Sequence, residues 1–287
     1  MTVAVLGANG VYARHLIPRL RADGHRVLAL ARRPEAATVA AACGAEVRRA
    51  DIFDRDQLAA ALRGADVGVN LATTLPGPSG RGDFAENDRL RRDGVPIWLD
   101  ACRDAGVTRV LQQSIAAVNC GADQEWADED TPTRVDDTVA GRAIAAAVDM
   151  EQAVRASGLD WSILRGGLFY GPGTGNDDDW YQRASDGRLR LPEDGSGYIS
   201  LIHIADMAAA TARAIDRWPS GRALIVADDQ PVRWVEVLGF VAAAVGAEPP
   251  RPGGRTGLPS FRVRNDRARD ALGWAPFHPS YHSGLIR

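Results

Sequence analysis

TVAVLGANGVYA, residues 2–13, decides the fold. A short apolar run of strand length stops at Gly7, and a helical pattern starts after Gly10. Glycine at position 7 permits the tight turn between the two. Glycine at position 10 lets the backbone approach a pyrophosphate, which free N–H groups at a helix N-terminus hold. The small residue at Ala13 lets that helix pack closely on its strand. Directly after a first strand, the pattern points to a dinucleotide site built from Gly7, Asn9, Gly10, Val11 and Tyr12.

The rest of the chain extends this unit. HRVLALA (25–31), AEVRRAD (45–51), DVGVNLA (66–72), VTRVLQQS (107–114) and LDWSILRGG (159–167) read as strands. Helical patterns separate them, over 34–43, from an Asp54 N-cap to Arg63, over 86–105 and through the alanine-rich TVAGRAIAAAVDMEQAV (138–154). A Pro/Gly-rich loop covers 73–83. The alternation predicts an α/β protein with a doubly wound parallel Rossmann sheet. Residues 1–166 make the dinucleotide-binding domain. Residues 167–287 make a smaller C-terminal α/β substrate lobe, interleaved with the sheet. There GPGTGNDDDW opens a flexible Gly/Asp-rich loop, and GYISLIHIADMAAATARAI (197–215) runs from strand to helix. RALIVADD (222–229) is a strand and PVRWVEVLGFVAAAVG (231–246) a helix. EPPRPGGRTGLP (248–259) reads as a linker, and RVRNDRARDALGW (262–274) as a final helix.

A net charge of −3 over 287 residues leaves no electrostatic footprint for nucleic acid. No apolar run approaches the ~20 residues of a membrane helix, and the N-terminus lacks a signal-peptide pattern. Three scattered cysteines without a CxxC suit a reducing cytoplasm. All 34 basic residues are arginine. No lysine can depress a neighbour's pKa or form a Schiff base.

The second strand ends ALARRPE, with arginines where an acid would bind the 2′-hydroxyl of NAD. Arginine suits the 2′-phosphate of NADP, so Arg32 points to NADP, with NAD as the alternative. Arg33 and Arg14 add charge. Asp51 and Ile52, at the end of the third strand, are placed to meet the adenine. Leu71 and Ala72, after the fourth, line the cofactor with Asn70 as a turn or cap, and Gly167 completes the set.

Together these residues resemble the short-chain dehydrogenase/reductase superfamily, in its extended and atypical epimerase/dehydratase-like branch. GANGVYA resembles its glycine loop, ADIFD its Asp-Leu/Ile signature, and SLIHIADMAAA its H-x-x-D-x-A segment. ASGLDWSILRGGLFYGPG resembles its run ending R-P-G-x-x-Y-G-P, with Gly166 in place of proline. DRARDALGWAP resembles its L-G-W-x-P run. The resemblance implies a Tyr-x-x-x-Lys pair followed by an acid. Anchored on Glu151 as that acid, the lysine position is Ala147 and the tyrosine position Ala143. The family's serine is at Ser114 or one place later, where Ile115 stands.

Other groups then become candidates. Tyr170 is placed to donate a proton, beside Ser114 as the second catalytic candidate. His203 orients a loop, with Asp206 capping the next helix. Asp128, Glu129 and Asp130 read as a solvated turn. Asp177, Asp178 and Asp179 diverge and lack a histidine, so no metal site is expected. Trp126, Trp180, Tyr181 and Tyr198 are substrate-contact candidates. The expected activity is a non-standard NAD(P)-dependent oxidoreductase, epimerase or dehydratase acting on a small carbonyl or hydroxyl compound. The alternative is a non-catalytic NADP(H) sensor like the NmrA-type regulators. A homodimer through the helices near 86–105 and 139–157 is expected from the resemblance.

Overall fold

The computed structural model describes residues 1–77, 82–121, 125–255 and 257–285. Residues 78–81 of the Pro/Gly-rich loop and Thr256 of the linker-like stretch lie outside it. Seven parallel strands form the central sheet: β1 (Thr2–Leu6), β2 (Arg26–Ala31), β3 (Glu46–Arg49), β4 (Val67–Asn70), β5 (Arg109–Ile115), β6 (Asp160–Gly166) and β7 (Arg222–Val226). Their spatial order is β7-β6-β5-β4-β1-β2-β3. The order reverses beside β1, and in such sheets the ligand crevice opens at that point. The strand contributed by residues 222–226 ties the second half of the chain into the main sheet.

Parallel strands covered on both faces need continuous apolar runs. β1, β2 and β4 supply them, each buried along nearly its whole length. Among the described residues the α-helices are α1 (Val11–Ala22), α2 (Thr38–Ala42), α3 (Arg55–Leu62), α4 (Phe84–Arg89), α5 (Val95–Asp104), α6 (Val139–Ala156), α7 (Asn176–Ser185), α8 (Ile204–Arg217), α9 (Trp234–Ala244), α10 (Asp266–Leu272) and α11 (Tyr281–Gly284). One face of the sheet is covered through Leu16, Ile17 and Leu20 of α1 with Met207 and Ile215 of α8. The other is covered through Leu58, Trp98 and Met150. Gly68 makes room there, since a Cβ on it would stand 2.9 Å from Trp98 Cζ2.

Asp54 caps α3 as expected, accepting from Gln57 N at 3.0 Å. The helix expected over 86–105 starts earlier, at an Asp83 cap, and carries a π turn over Leu90–Gly94 between α4 and α5. Two expectations are overturned. The acidic stretch 177–179 is not a loose lid but the first turn of α7, where carboxylates favour the positive end of the helix. The linker-like stretch contains a strand, Arg251–Gly254, paired with Arg190–Pro192.

Candidate functional site

Gly7 has φ of +84°, and a Cβ on it would lie 3.0 Å from the Ala72 nitrogen. Backbone conformation and the close approach of the β4 terminus both demand glycine here. Gly10 N donates to Gly7 O at 2.9 Å and closes the turn. Helix α1 then begins with no side-chain cap and no acid in its first turn. Its first N–H groups are left for an anion, which is the fit a dinucleotide pyrophosphate requires.

A crevice of about 140 Å³ follows, lined by Gly7, Asn9, Gly10, Arg32, Asp51, Ile52, Leu71 and Ala72. It opens beside a hollow of about 640 Å³, lined by Arg32, Arg33, Arg49, Asp51, Phe53 and Gln57. Among the described residues, none of these three arginines has a carboxylate oxygen within 4.0 Å. Arg49 was not singled out from sequence. Its neighbour Arg48 turns the other way, onto Glu46 and the carbonyls of Ala61 and Arg63.

Several expected cofactor residues stand elsewhere. Tyr12 is buried, with its hydroxyl against Thr211 Oγ1 and its ring edge-on to Phe169 at 5.4 Å. Burial pushes its phenol far above the ordinary value. Its backbone, not its side chain, faces the anion position. Val11 lies under Gly173 of the GPG turn. Gly167 N bonds Val226 O at 3.0 Å, and a Cβ there would stand 2.6 Å from Ser200 O, so this glycine serves packing between strands. Gly166 accommodates Phe169, whose Cε1 would lie 2.7 Å from an added Cβ. Asn70 holds the turn after β4, accepting from Ala72 N at 3.0 Å and donating to Gln112 at 3.0 Å.

Thr138 caps α6 by accepting from Gly141 N at 3.0 Å. Ala143 and Ala147 are buried on this helix, and Glu151 follows one turn later. Glu151 accepts from Ser114 Oγ at 2.7 Å and from Arg165 of β6. The Ser114 hydroxyl is therefore spent on a structural acid rather than turned to a substrate. Tyr170 is also corrected. Its ring is buried edge-on to His203 at 5.2 Å, its hydroxyl reaches Ser280 O at 3.4 Å, and burial raises its pKa. Such a phenol is a poor proton donor and does not line the crevice.

His203, not Asp206, caps α8, its Nδ1 accepting from Ala205 N at 3.3 Å. Burial holds its pKa down at about 4, and neighbouring His278 adds to the effect. The Asp206 carboxylate instead pins the C-terminal segment, accepting from the N–H groups of Phe277 at 3.0 Å and His278 at 2.8 Å. His203, Asp206 and His278 bring their ligand-type atoms within 4.8 Å of one another. The two imidazoles stack at 3.8 Å with their planes 29° apart, and His278 Nδ1 is already paired with Asp206 Oδ2 at 2.8 Å. Glu129 is not a solvated turn residue: it satisfies the outer edge of β7 by accepting from Ile225 N at 2.8 Å.

Of the aromatic candidates, Tyr181 is core, its hydroxyl donating to Leu285 O at 2.5 Å. Trp180 packs edge-on against Trp234 at 6.0 Å. Trp126 and Tyr198 sandwich the Arg262 guanidinium at 4.2 and 4.7 Å, which joins two short strand pairs of the second lobe.

A family model described as NAD(P)H-binding matches residues 7–215. The chain is 36% identical to a 3-diazoavenalumate denitrifying reductase from a Streptomyces species, over the whole of both chains. It is 27% identical to the ceramide reductase of Caulobacter vibrioides, covering 86% of this chain and 71% of that one. Among solved structures it superposes on MoeE5 in complex with UDP-glucuronic acid and NAD, with a TM-score of 0.79 and 25% identity. That match covers 99% of this chain and 96% of MoeE5.

Proposed function

The chain belongs to this NAD(P)H-binding family, within the epimerase/dehydratase-like short-chain dehydrogenases, and on that premise we propose that it is a reductase of diazo compounds that releases dinitrogen. The observation that carries the reading is the face of α6. The family resemblance puts the usual tyrosine and lysine positions at Ala143 and Ala147, both buried, and the sequence contains no lysine. A carbonyl reduction leaves an alkoxide that needs a proton, and a positioned acid contributes about 10²–10⁴-fold. Reduction of an aryl diazonium needs none. Hydride from NAD(P)H replaces the diazo group, the C–N bond breaks and N₂ leaves: Ar–N₂⁺ + NAD(P)H → Ar–H + N₂ + NAD(P)⁺.

The same electrophile gives a reason for the alanines. A phenol couples with a diazonium ion at ring carbon, and an amine forms a triazene. A tyrosine or lysine at the reacting centre would be consumed by the substrate. Alanine offers no nucleophile. The arginines around the outer hollow favour NADPH over NADH, since a guanidinium matches phosphate oxygens in a fork.

The test is anaerobic mixing of the protein with C4-deuterated NADPH and an arenediazonium salt, corrected for the reaction without protein. Protein-dependent cofactor oxidation, matched by N₂ and deuterated arene, is expected. NADPH binding with no oxidation on diazo or carbonyl compounds would overturn the reductase reading and favour the sensor.

A further inference from the structure

Arg91 stands in the π turn Leu90–Gly94, and its Nη1 donates to Ala143 O at 2.8 Å. π turns are rare and concentrate at functional sites, because the extra residue re-aims a side chain. Here that side chain is a cation pointed at the α6 face that carries Ala143. The residue is only 6% exposed. Among the described residues its guanidinium has one hydrogen-bond acceptor and no carboxylate oxygen within 4.0 Å. Asp88 and Glu151 act on it only from farther off, and Glu151 is already held by Arg165 and Ser114.

Burying a charge is costly unless it is paired. Nothing described in the protein pairs this one. Its position says what does. Asn87, one turn earlier, accepts from Thr73 Oγ1 at 2.9 Å and from Thr74 N at 3.0 Å. Thr73, Thr74 and Leu90 line the cofactor crevice beyond β4. The helix face carrying Asn87, Leu90 and Arg91 therefore runs from the crevice to Ala143. The guanidinium stands at the α6 end of that face, on Ala143 O.

We propose that Arg91 is the anion anchor of the substrate site, receiving a carboxylate or phenolate oxygen of the arene whose diazo group is reduced. This rests on the reductase reading for the reacting group, though not for the anion. A guanidinium offers two parallel N–H donors to a planar anion, which fixes orientation as well as affinity. With the substrate's oxyanion held at Arg91, the alanine surface of α6 is left for the flat ring.

The test compares wild type, Arg91→Gln and Arg91→Lys, each checked by melting temperature and NADPH binding. Two measurements are made. The first is calorimetric binding of cinnamate to the NADP⁺ complex. The second is the ratio of kcat/KM for a carboxylate-bearing arenediazonium to that for the analogue lacking the carboxylate. Arg91→Gln is expected to weaken cinnamate and to collapse the ratio by about 10²-fold, the scale of a charged hydrogen bond. Arg91→Lys is expected to fall between. A purely structural role would lower both substrates alike and keep the ratio, which overturns the proposal, as does unchanged cinnamate binding. If wild type reduces neither diazonium, the reductase reading fails, and cinnamate binding still decides whether Arg91 holds an anion.

Discussion

Arg165 and Glu151 meet through two hydrogen bonds, Nε to Oε1 at 2.9 Å and Nη2 to Oε2 at 2.5 Å. Their side chains are 7% and 4% exposed. The pair locks α6 to β6 directly beneath Ala147, with Ser114 and Asn119 completing the network. Arg155 Nη2 also lies 3.4 Å from Glu151 Oε2, so it is removal of Glu151 that leaves the Arg165 charge buried and uncompensated, which costs about 3–5 kcal/mol. Glu151→Ala is expected to lose that much in urea unfolding. The double change Glu151→Leu, Arg165→Met should lose clearly less, because no lone charge remains. Equal losses would show that the pair acts through shape alone.

The outer hollow makes a second prediction. Arg32→Ala and Arg49→Ala should each weaken NADPH by about 10-fold or more, the scale of a charge-assisted contact, while NADH changes little. Fluorescence titration of the dihydronicotinamide reads both. Parallel losses for the two nucleotides would mean that the arginines shape the crevice rather than select a phosphate.

The sheet and the glycine loop were legible because each is written locally, in unbroken apolar strands and a turn that admits only glycine. Groups whose partners are distant in sequence were not. Glu129 looked solvated because its partner, Ile225 N, lies 96 residues on. Asp206 looked like a cap because its partners at 277 and 278 fold back from the far end of the chain. The GPGTGNDDDW stretch reads as loop because its three aspartates hide the helical period, although they suit a helix N-terminus. Arg91 had one signal, the charged RLRRDG run in the middle of a long helix, but the π turn that aims it has no sequence signature.

Asp228 gives a pH prediction. Its carboxyl is 2% exposed, with Oδ2 unpartnered, and burial with nearby Asp229 and Asp206 raises its pKa to about 8. A raised folded pKa means the folded state holds a proton that the unfolded chain has released. The associated stability is complete below the ordinary carboxylate range and is lost as pH rises through about 8. In that window it falls by up to about 1.4 kcal/mol per pH unit. Asp228→Asn removes this dependence. Its melting temperature should gain on wild type as pH rises from about 5 to 8. A constant difference across the range would mean that Asp228 is ionised in the folded protein.

The alanine at 143 can be tested by restoring what the family usually carries. Ala143→Tyr places a phenol on the α6 face, next to the carbonyl that receives Arg91. If the substrate is a diazonium ion, its terminal nitrogen bonds to a ring carbon of that tyrosine, and the displaced ring hydrogen leaves as a proton. Intact-protein mass spectrometry should then show one covalent adduct carrying the whole Ar–N₂ unit, with activity lost in step. Wild type should stay unmodified under the same conditions. Its other tyrosines Tyr12, Tyr170, Tyr181 and Tyr281 are buried, and burial raises the phenol pKa of Tyr12, Tyr170 and Tyr281, which suppresses the phenolate that couples. Tyr198 is half-buried between arginines and serves as the internal reference. Overpacking the helix face costs about 1–3 kcal/mol, so melting temperature and NADPH binding confirm that the variant is folded. A folded Ala143→Tyr protein that turns over the diazonium without acquiring an adduct would show that the alanine is not there to exclude a nucleophile.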